Sequence, residues 1–146
     1  MKTIALRFSN NLAPEDGTIE EHNKLINQFG YAWYGKFGAK VSEKIREEIM
    51  SSKDKKVLLI HSGTTNRYWL HIDDISYKTP ELKAIPEYYR DIAGTVKTWF
   101  KVIRIEAAEK NVMSKCLVTS SGNTLSNVSK HSMSPYFIIN YREGDE

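Results

Sequence analysis

The chain has 146 residues, 40% apolar and 27% charged, with a net charge of +3, which is enough for one domain with a real core and too little for two comfortable ones. Its single cysteine, Cys116, excludes an internal disulfide and suits a reducing compartment. No run approaches the roughly 18 apolar residues of a membrane span, and residues 1–8 are too short and interrupted for a signal peptide, so the expectation is one cytoplasmic domain over residues 1–146.

Ile4, Leu6 and Phe8 alternate with Thr3, Ala5 and Arg7, the pattern of a half-buried strand. Residues 9–17 read as loop, with Asn10, Asn11, Pro14, Asp16 and Gly17 as breakers. Thr18 and Glu21 fit a capping box, so a helix opens at Thr18, with Ile19, His22, Ile26 and Phe29 on one face. Gly30 is placed to end it in the left-handed conformation. Residues 31–38, Tyr-Ala-Trp-Tyr-Gly-Lys-Phe-Gly, follow as a short strand and turn. Four aromatics beside paired glycines suit a pocket for a flat ligand better than a packed core does. Ser42 is the next N-cap, opening a helix over 43–50 on which Ile45 and Ile49 form a narrow apolar stripe.

Residues 57–61 predict a strand, 62–66 a hairpin turn and 67–75 its partner. On that partner Tyr68, Leu70 and Ile72 point one way, and Arg67, Trp69 and His71 the other. Pro80 and Pro86 bracket a loop, with a helical turn at 87–91. Residues 96–105 form a strand with Phe100 and Val102 on one face and Trp99, Ile103 and Ile105 on the other. Residues 106–114 are ambiguous, and 117–118 suit a short strand. A polar run at 119–123 precedes a short helix or loop over 124–133, and 136–141 is a last strand. The chain ends acidic at Glu143, Asp145 and Glu146. Strands outnumber helices and hairpins predominate, so the fold class is α+β: a curved, mostly antiparallel small β-barrel with two or three short helices.

The chemistry-bearing residues do not assemble into a catalytic motif. His22, His61, His71, His131 and Cys116 lack any paired metal-ligand spacing, and His22 falls on a core face. Asp73 or Asp74 with Glu81 and Lys83 matches the acid pattern of metal-dependent nucleases, but Pro80 and Pro86 make a strand there a poor fit. Neither a nucleophile elbow nor a phosphate loop occurs, and Cys116 sits in an apolar context. No cofactor is implied. The remaining signal is aromatic: Trp33, Tyr34, Trp69 and Trp99 lie in or near separate strands, alongside Lys36, Arg67, Lys97 and Lys101. Aromatic faces stack on bases, and Lys or Arg neutralise phosphates.

This order of parts resembles the PUA-like superfamily in its EVE and YTH branches. The stretch 31–38 leading into the helix at 43–50, the hairpin 57–72 and the strand Thr-Trp-Phe-Lys-Val-Ile-Arg-Ile at 98–105 carry the resemblance, which covers about residues 30–140. Residues 17–30 depart from it as part of an added N-terminal strand and helix. The neighbourhoods of Tyr34-Gly35-Lys36-Phe37-Gly38 and Pro86-Glu87-Tyr88-Tyr89-Arg90 also look like the specificity domains of McrBC-type, modification-dependent restriction systems. The resemblance implies a non-catalytic reader of nucleic acid, DNA ahead of RNA, that flips a methylated base into an aromatic cage. Trp33 and Trp99 would be walls, with Tyr34 taking the place of Trp33 if the register shifts by one, and Trp69 a further aromatic. Lys36, Ser62, Arg67, Lys97, Lys101, Ser120, Ser121, Asn123 and Ser134 would contact the backbone or base edges. A motor or nuclease subunit, fused or associated, would be the partner. A pocket for a free nucleotide and a metal-dependent nuclease are the competing readings.

Overall fold

Strand β1 (Lys2–Phe8) lies in the interior of the sheet, and the rest of the fold is arranged about it. The structure is a computed structural model that describes residues 1–11, 13–15 and 17–142, so Asp16 and the acidic end at 143–146 lie outside the described residues. Six further strands complete one sheet: β2 (Ala32–Lys36), β3 (Lys56–His61), β4 (Arg67–Ser76), β5 (Thr98–Ala107), β6 (Cys116–Val118) and β7 (Tyr136–Tyr141). Their order is β2-β5-β4-β3-β1-β7-β6. Every pairing is antiparallel except β1 with β3. The α+β class and mostly antiparallel sheet agree with the sequence reading, but the sheet does not close into a barrel. Strands β2 and β6 remain as edges.

Strand β1 is not half-buried. Thr3, Ile4, Ala5 and Leu6 are all buried, because β1 has a strand on each side and apolar clusters on both faces. On one face Ile4, Leu6 and Phe8 join Leu59, Leu70, Ile72, Phe100 and Val102 in a core covered by two helices, α1 (Gly17–Phe29) and α2 (Glu43–Met50). Ile19 and Ile26 of α1 pack against this core, and Ile45 and Ile49 of α2 lie within it. On the other face Ala5, Leu58, Ile60 and Trp69 meet Phe137, Ile139 and Tyr141, closed by a 3-10 turn (Val112–Lys115) and helix α3 (Leu125–His131). Apolar surface on both faces is why the alternation of β1, β3 and β5 is incomplete in the sequence.

Local signals explain most boundaries. The Ser42 hydroxyl accepts the Ile45 N–H at 3.2 Å, the N-cap of α2. Gly30 ends α1 with φ of +87°, and its N–H donates to the Ile26 carbonyl. At the start of α1 the expected capping box is replaced: Asn10 Oδ1 accepts the Thr18 N–H at 3.0 Å, while the Thr18 hydroxyl turns back to the Ser9 carbonyl. The loop residue takes the capping role because α1 begins one residue earlier, at Gly17.

The β4–β5 ladder is irregular. Its register shifts between His71 and Ile72 and again between Ile72 and Asp74, which leaves Ile103 and Asp73 as extra residues on their strands. Ile105 therefore packs on the α-helical side with Val102, whereas Ile103 is exposed. The strict alternation read from the sequence had placed Ile103 and Ile105 together. Between β4 and β5 the chain forms two 3-10 segments, Leu82–Ala84 and Glu87–Thr95, longer than the single turn expected. Among the described residues no helix is long and apolar enough to cross a membrane.

Candidate functional site

The sheet curls until its edge strand β2 faces the end of β1 across a cavity of about 240 Å³. Phe8 and Ser9 form one wall, Tyr34, Gly35, Lys36 and Phe37 the other. Tyr88 and Tyr89 enter from the second 3-10 segment, Thr18 from the first turn of α1, and Pro135 from the loop before β7. Five aromatic side chains thus surround one space. Its volume falls below the roughly 300–1,000 Å³ of pockets for drug-sized ligands and suits a single flat ring system.

Tyr89 holds the free edge of β2. Its hydroxyl oxygen accepts the Gly35 N–H at 3.4 Å, so a backbone donor that faces away from β5 is satisfied by a side chain, and the Trp33 carbonyl stands 3.0 Å from the same oxygen. The same hydroxyl lies 2.8 Å from His22 Nε2. His22 Nδ1, 2.8 Å from the Thr18 carbonyl, must carry a proton to bond there. In the neutral imidazole Nε2 is then an acceptor for the Tyr89 hydroxyl. The His22 ring also packs 5.2 Å from the Tyr34 ring, so it supports two cavity walls from behind. Burial depresses the His22 pKa to about 4. Burial also raises the hydroxyls of Tyr34 and Tyr89 above the ordinary phenol range, which keeps both neutral.

The cavity's cations are engaged with the protein. Lys36 Nζ donates to the carbonyls of Ala39, at 2.6 Å, and Phe37, and lies 4.4 Å from the centre of the Tyr136 ring. Desolvation lowers its pKa. Arg7 donates to the carbonyls of Ser129, Ser132 and Ser134. With both charges turned toward carbonyls, the space between the aromatics can take an uncharged, flat group.

The four aromatics singled out in the sequence separate. Tyr34 lines the cavity, and Trp33, its neighbour of opposite parity, does not. Trp33 and Trp99 do come together, on the other face of β2 and β5, under Ala84, Ile85, Tyr89 and Val96. Trp99 is 0% exposed and Trp33 7%. Their indole N–H groups are buried without a protein acceptor, so these two rings are held by packing. Trp69 lies in the cluster beneath α3, 4.8 Å from the Tyr141 ring and under the Lys56 ammonium. Gly35 serves this packing: a Cβ there would meet Trp99 Cζ3 at 3.0 Å and Val96 Cγ1 at 3.1 Å.

The polar residues scatter more widely. Ser120, Ser121, Asn123 and Ser134 line a second, wider groove between β6, β7 and α3, with a volume of about 620 Å³. Arg67 is folded onto its own hairpin, donating to the carbonyls of Thr64 and Asn66. Lys101 lies over the Tyr31 ring and pairs with Asp73 at 3.7 Å, while Lys97 and Ser62 are exposed elsewhere. Glu81 is hydrogen-bonded by the Tyr31 hydroxyl and precedes a 3-10 turn, not a strand. Among the described residues no group of three or more His, Cys, Asp or Glu side chains is placed to hold a metal ion. Cys116 is buried, its thiol pushed up to about 12 by desolvation.

The cavity residues that sequence reasoning did not name as ligand contacts include Leu6, Arg7, Phe8, Ser9, Thr18, Phe37, Tyr88, Tyr89 and Pro135. The tandem Tyr88-Tyr89 beside Pro86 was a visible signal, but nothing local shows that it crosses to β2.

A family model described as Pua-like matches residues 4–138. The match starts inside β1, so the N-terminal strand and helix belong to the domain and are not an addition to it. It does not distinguish the EVE and YTH branches or reach the McrBC-type systems. No curated protein and no solved structure matches the chain. PUA-like domains generally bind nucleic acids, with which a recognition module is consistent. On the order of its strands and the span of this match, the chain belongs to the PUA-like family.

Proposed function

We propose that the chain is a non-catalytic recognition module that binds DNA, in preference to RNA, by taking one methylated base out of its stack into the cavity between β1 and β2. The supporting observation is the cavity itself: one ring-sized space walled by Phe8, Tyr34, Phe37, Tyr88 and Tyr89, with its cations turned away to carbonyls. A flipped base loses stacking worth roughly a few kcal/mol, and each aromatic face offered in return contributes about 1–3 kcal/mol. A methyl group on the base adds apolar surface that such walls remove from water. In this reading Tyr34 and Phe37 are the walls contributed by β2 and the turn after it. The groove at Ser120, Ser121 and Asn123 supplies neutral hydrogen-bonding groups for the strand outside the cavity. The McrBC-type resemblance adds that the module acts with a motor or nuclease, fused or associated.

The test is anisotropy of labelled DNA and RNA oligonucleotides, matched with and without one methylated base, titrated with the intact chain at two salt concentrations. Salt-sensitive binding that tightens with methylation is expected. Phe37→Ala and Tyr88→Ala should each weaken it by about 1–3 kcal/mol, while Trp69→Phe, in a separate cluster, should not. Binding indifferent to both cavity variants would refute the assignment. The cavity's size for a single base also favours a second reading, a free nucleotide as ligand. A mononucleotide that displaces the oligonucleotide at comparable concentration would establish it.

A further inference from the structure

Met133 is 97% exposed, the highest value among the exposed large apolar side chains. An isolated exposed methionine on a mobile loop would call for no explanation. This one stands on a loop whose backbone is pinned on both sides. Arg7 Nη2 donates to the Ser132 carbonyl at 2.8 Å, and Arg7 Nε donates to the Ser134 carbonyl at 2.9 Å. The Arg7 backbone N–H donates to the Pro135 carbonyl. The Ser132 hydroxyl accepts the Ser134 N–H, and the Ser134 hydroxyl donates to the Tyr136 carbonyl at 2.6 Å. A loop held at these points cannot fold Met133 back onto the core. The side chain is presented outward by construction.

Its location gives the exposure a use. Met133 is two residues from Pro135, which lines the cavity, so the chain separates them by at most roughly 7 Å. On β2's side the rim carries Phe37, 45% exposed. The chain on either side of the loop lacks anionic side chains, since none of the chain's 18 acidic residues falls between 110 and 142. Lys130 and His131, both exposed, directly precede the loop.

We propose that Met133 is a wedge for duplex nucleic acid, entering the base stack beside the position vacated when a base turns into the cavity. The inference rests on the function proposed above. Withdrawing a base from a duplex leaves an unstacked step, and an unbranched apolar side chain fills such a gap without needing a hydrogen-bond partner. A single strand has no partner stack to hold open, so the wedge acts on duplexes alone.

The intact chain and its Met133→Ala and Met133→Leu variants are titrated against a DNA duplex with one methylated base, and against the same modified strand alone. Methylated adenine and methylated cytosine form separate arms, and unfolding midpoints confirm that the exposed substitutions leave the fold intact. Met133→Ala should weaken duplex binding about tenfold or more, since the vacated step is left unfilled. Single-strand binding should stay within about twofold, and Met133→Leu should bind the duplex as the wild type does. Equal losses for both forms, or no loss for the duplex, would overturn the wedge. If the wild-type chain binds neither form in either arm, the function reading fails, and the wedge with it. If Phe37→Ala weakens binding while Met133→Ala does not, the wedge alone fails.

Discussion

Acidification should destabilise this protein through His22. The side chain is buried, and its pKa falls from 6.5 to about 4 because burial removes water from the charged form. The unfolded chain binds a proton near pH 6.5, and the folded chain does not until about pH 4. Between those values the unfolded state holds more protons, so stability rises with pH. The His22 contribution is complete above pH 6.5 and is lost as pH falls toward 4. At about 1.4 kcal/mol per unit of pKa difference, the full loss is about 3 kcal/mol, a large share of the roughly 5–15 kcal/mol typical of a domain. The neutral ring bridges the Thr18 carbonyl and the Tyr89 hydroxyl, so protonation also disturbs the group that holds β2's free edge.

The assay is urea unfolding followed by tryptophan fluorescence at a series of pH values, since Trp33, Trp69 and Trp99 are all buried. Carboxylates titrate in the same range, so the wild type is compared with His22→Phe, which keeps a ring and removes the titration. The variant should be less stable at pH 7, where it lacks the two hydrogen bonds. The gap between the two proteins should narrow by about 3 kcal/mol on going from pH 7 to pH 4. Parallel stability curves across that window would refute the reasoning, because they would mean that His22 titrates alike in folded and unfolded chains.

Gly35→Ala should cost about 1–3 kcal/mol in the same assay, because the new Cβ has to displace Trp99 or Val96 from a packed cluster. Tyr89→Phe should cost about 1–3 kcal/mol by leaving the Gly35 N–H without its hydroxyl partner inside the protein. It should also weaken ligand binding through the loosened edge, measured by anisotropy. Cys116 should resist a thiol reagent at neutral pH in the native protein and react at once in urea, since it is buried and its thiol is pushed up to about 12.

Much of the local structure is legible in the sequence because its causes are local. Ser42, Gly30 and the turn at 62–66 mark boundaries through hydrogen bonds and backbone angles that involve only near neighbours. Strand β7 and helix α2 occupy the predicted residues. The aromatic, glycine-bearing stretch at 31–38 contributes four residues to the cavity wall, Tyr34, Gly35, Lys36 and Phe37. The parity of β2 was not legible: Trp33 and Tyr34 are equally good strand residues, and only the layers on the two faces decide which one meets the cavity. Tyr34 turns toward α1 and β1, and Trp33 toward the 3-10 segments. The pairing of Gly35 with Trp99 explains the glycine by packing across β5, a contact 64 positions away in the chain. The bulges at Asp73 and Ile103 likewise escape any periodic reading, since an inserted residue breaks the period that the reading relies on.

By itself the sequence determined the α+β class, the positions of most strands and helices, and the concentration of aromatics near β2. The tertiary structure alone decided that the sheet stays open, that Tyr89 and His22 hold its free edge, and that the cavity lies between β1 and β2. The physical reason is chain separation. A cap or a turn is set by residues a few positions apart, whereas Phe8, Tyr34, Tyr89 and Pro135 meet only after the whole sheet has curled.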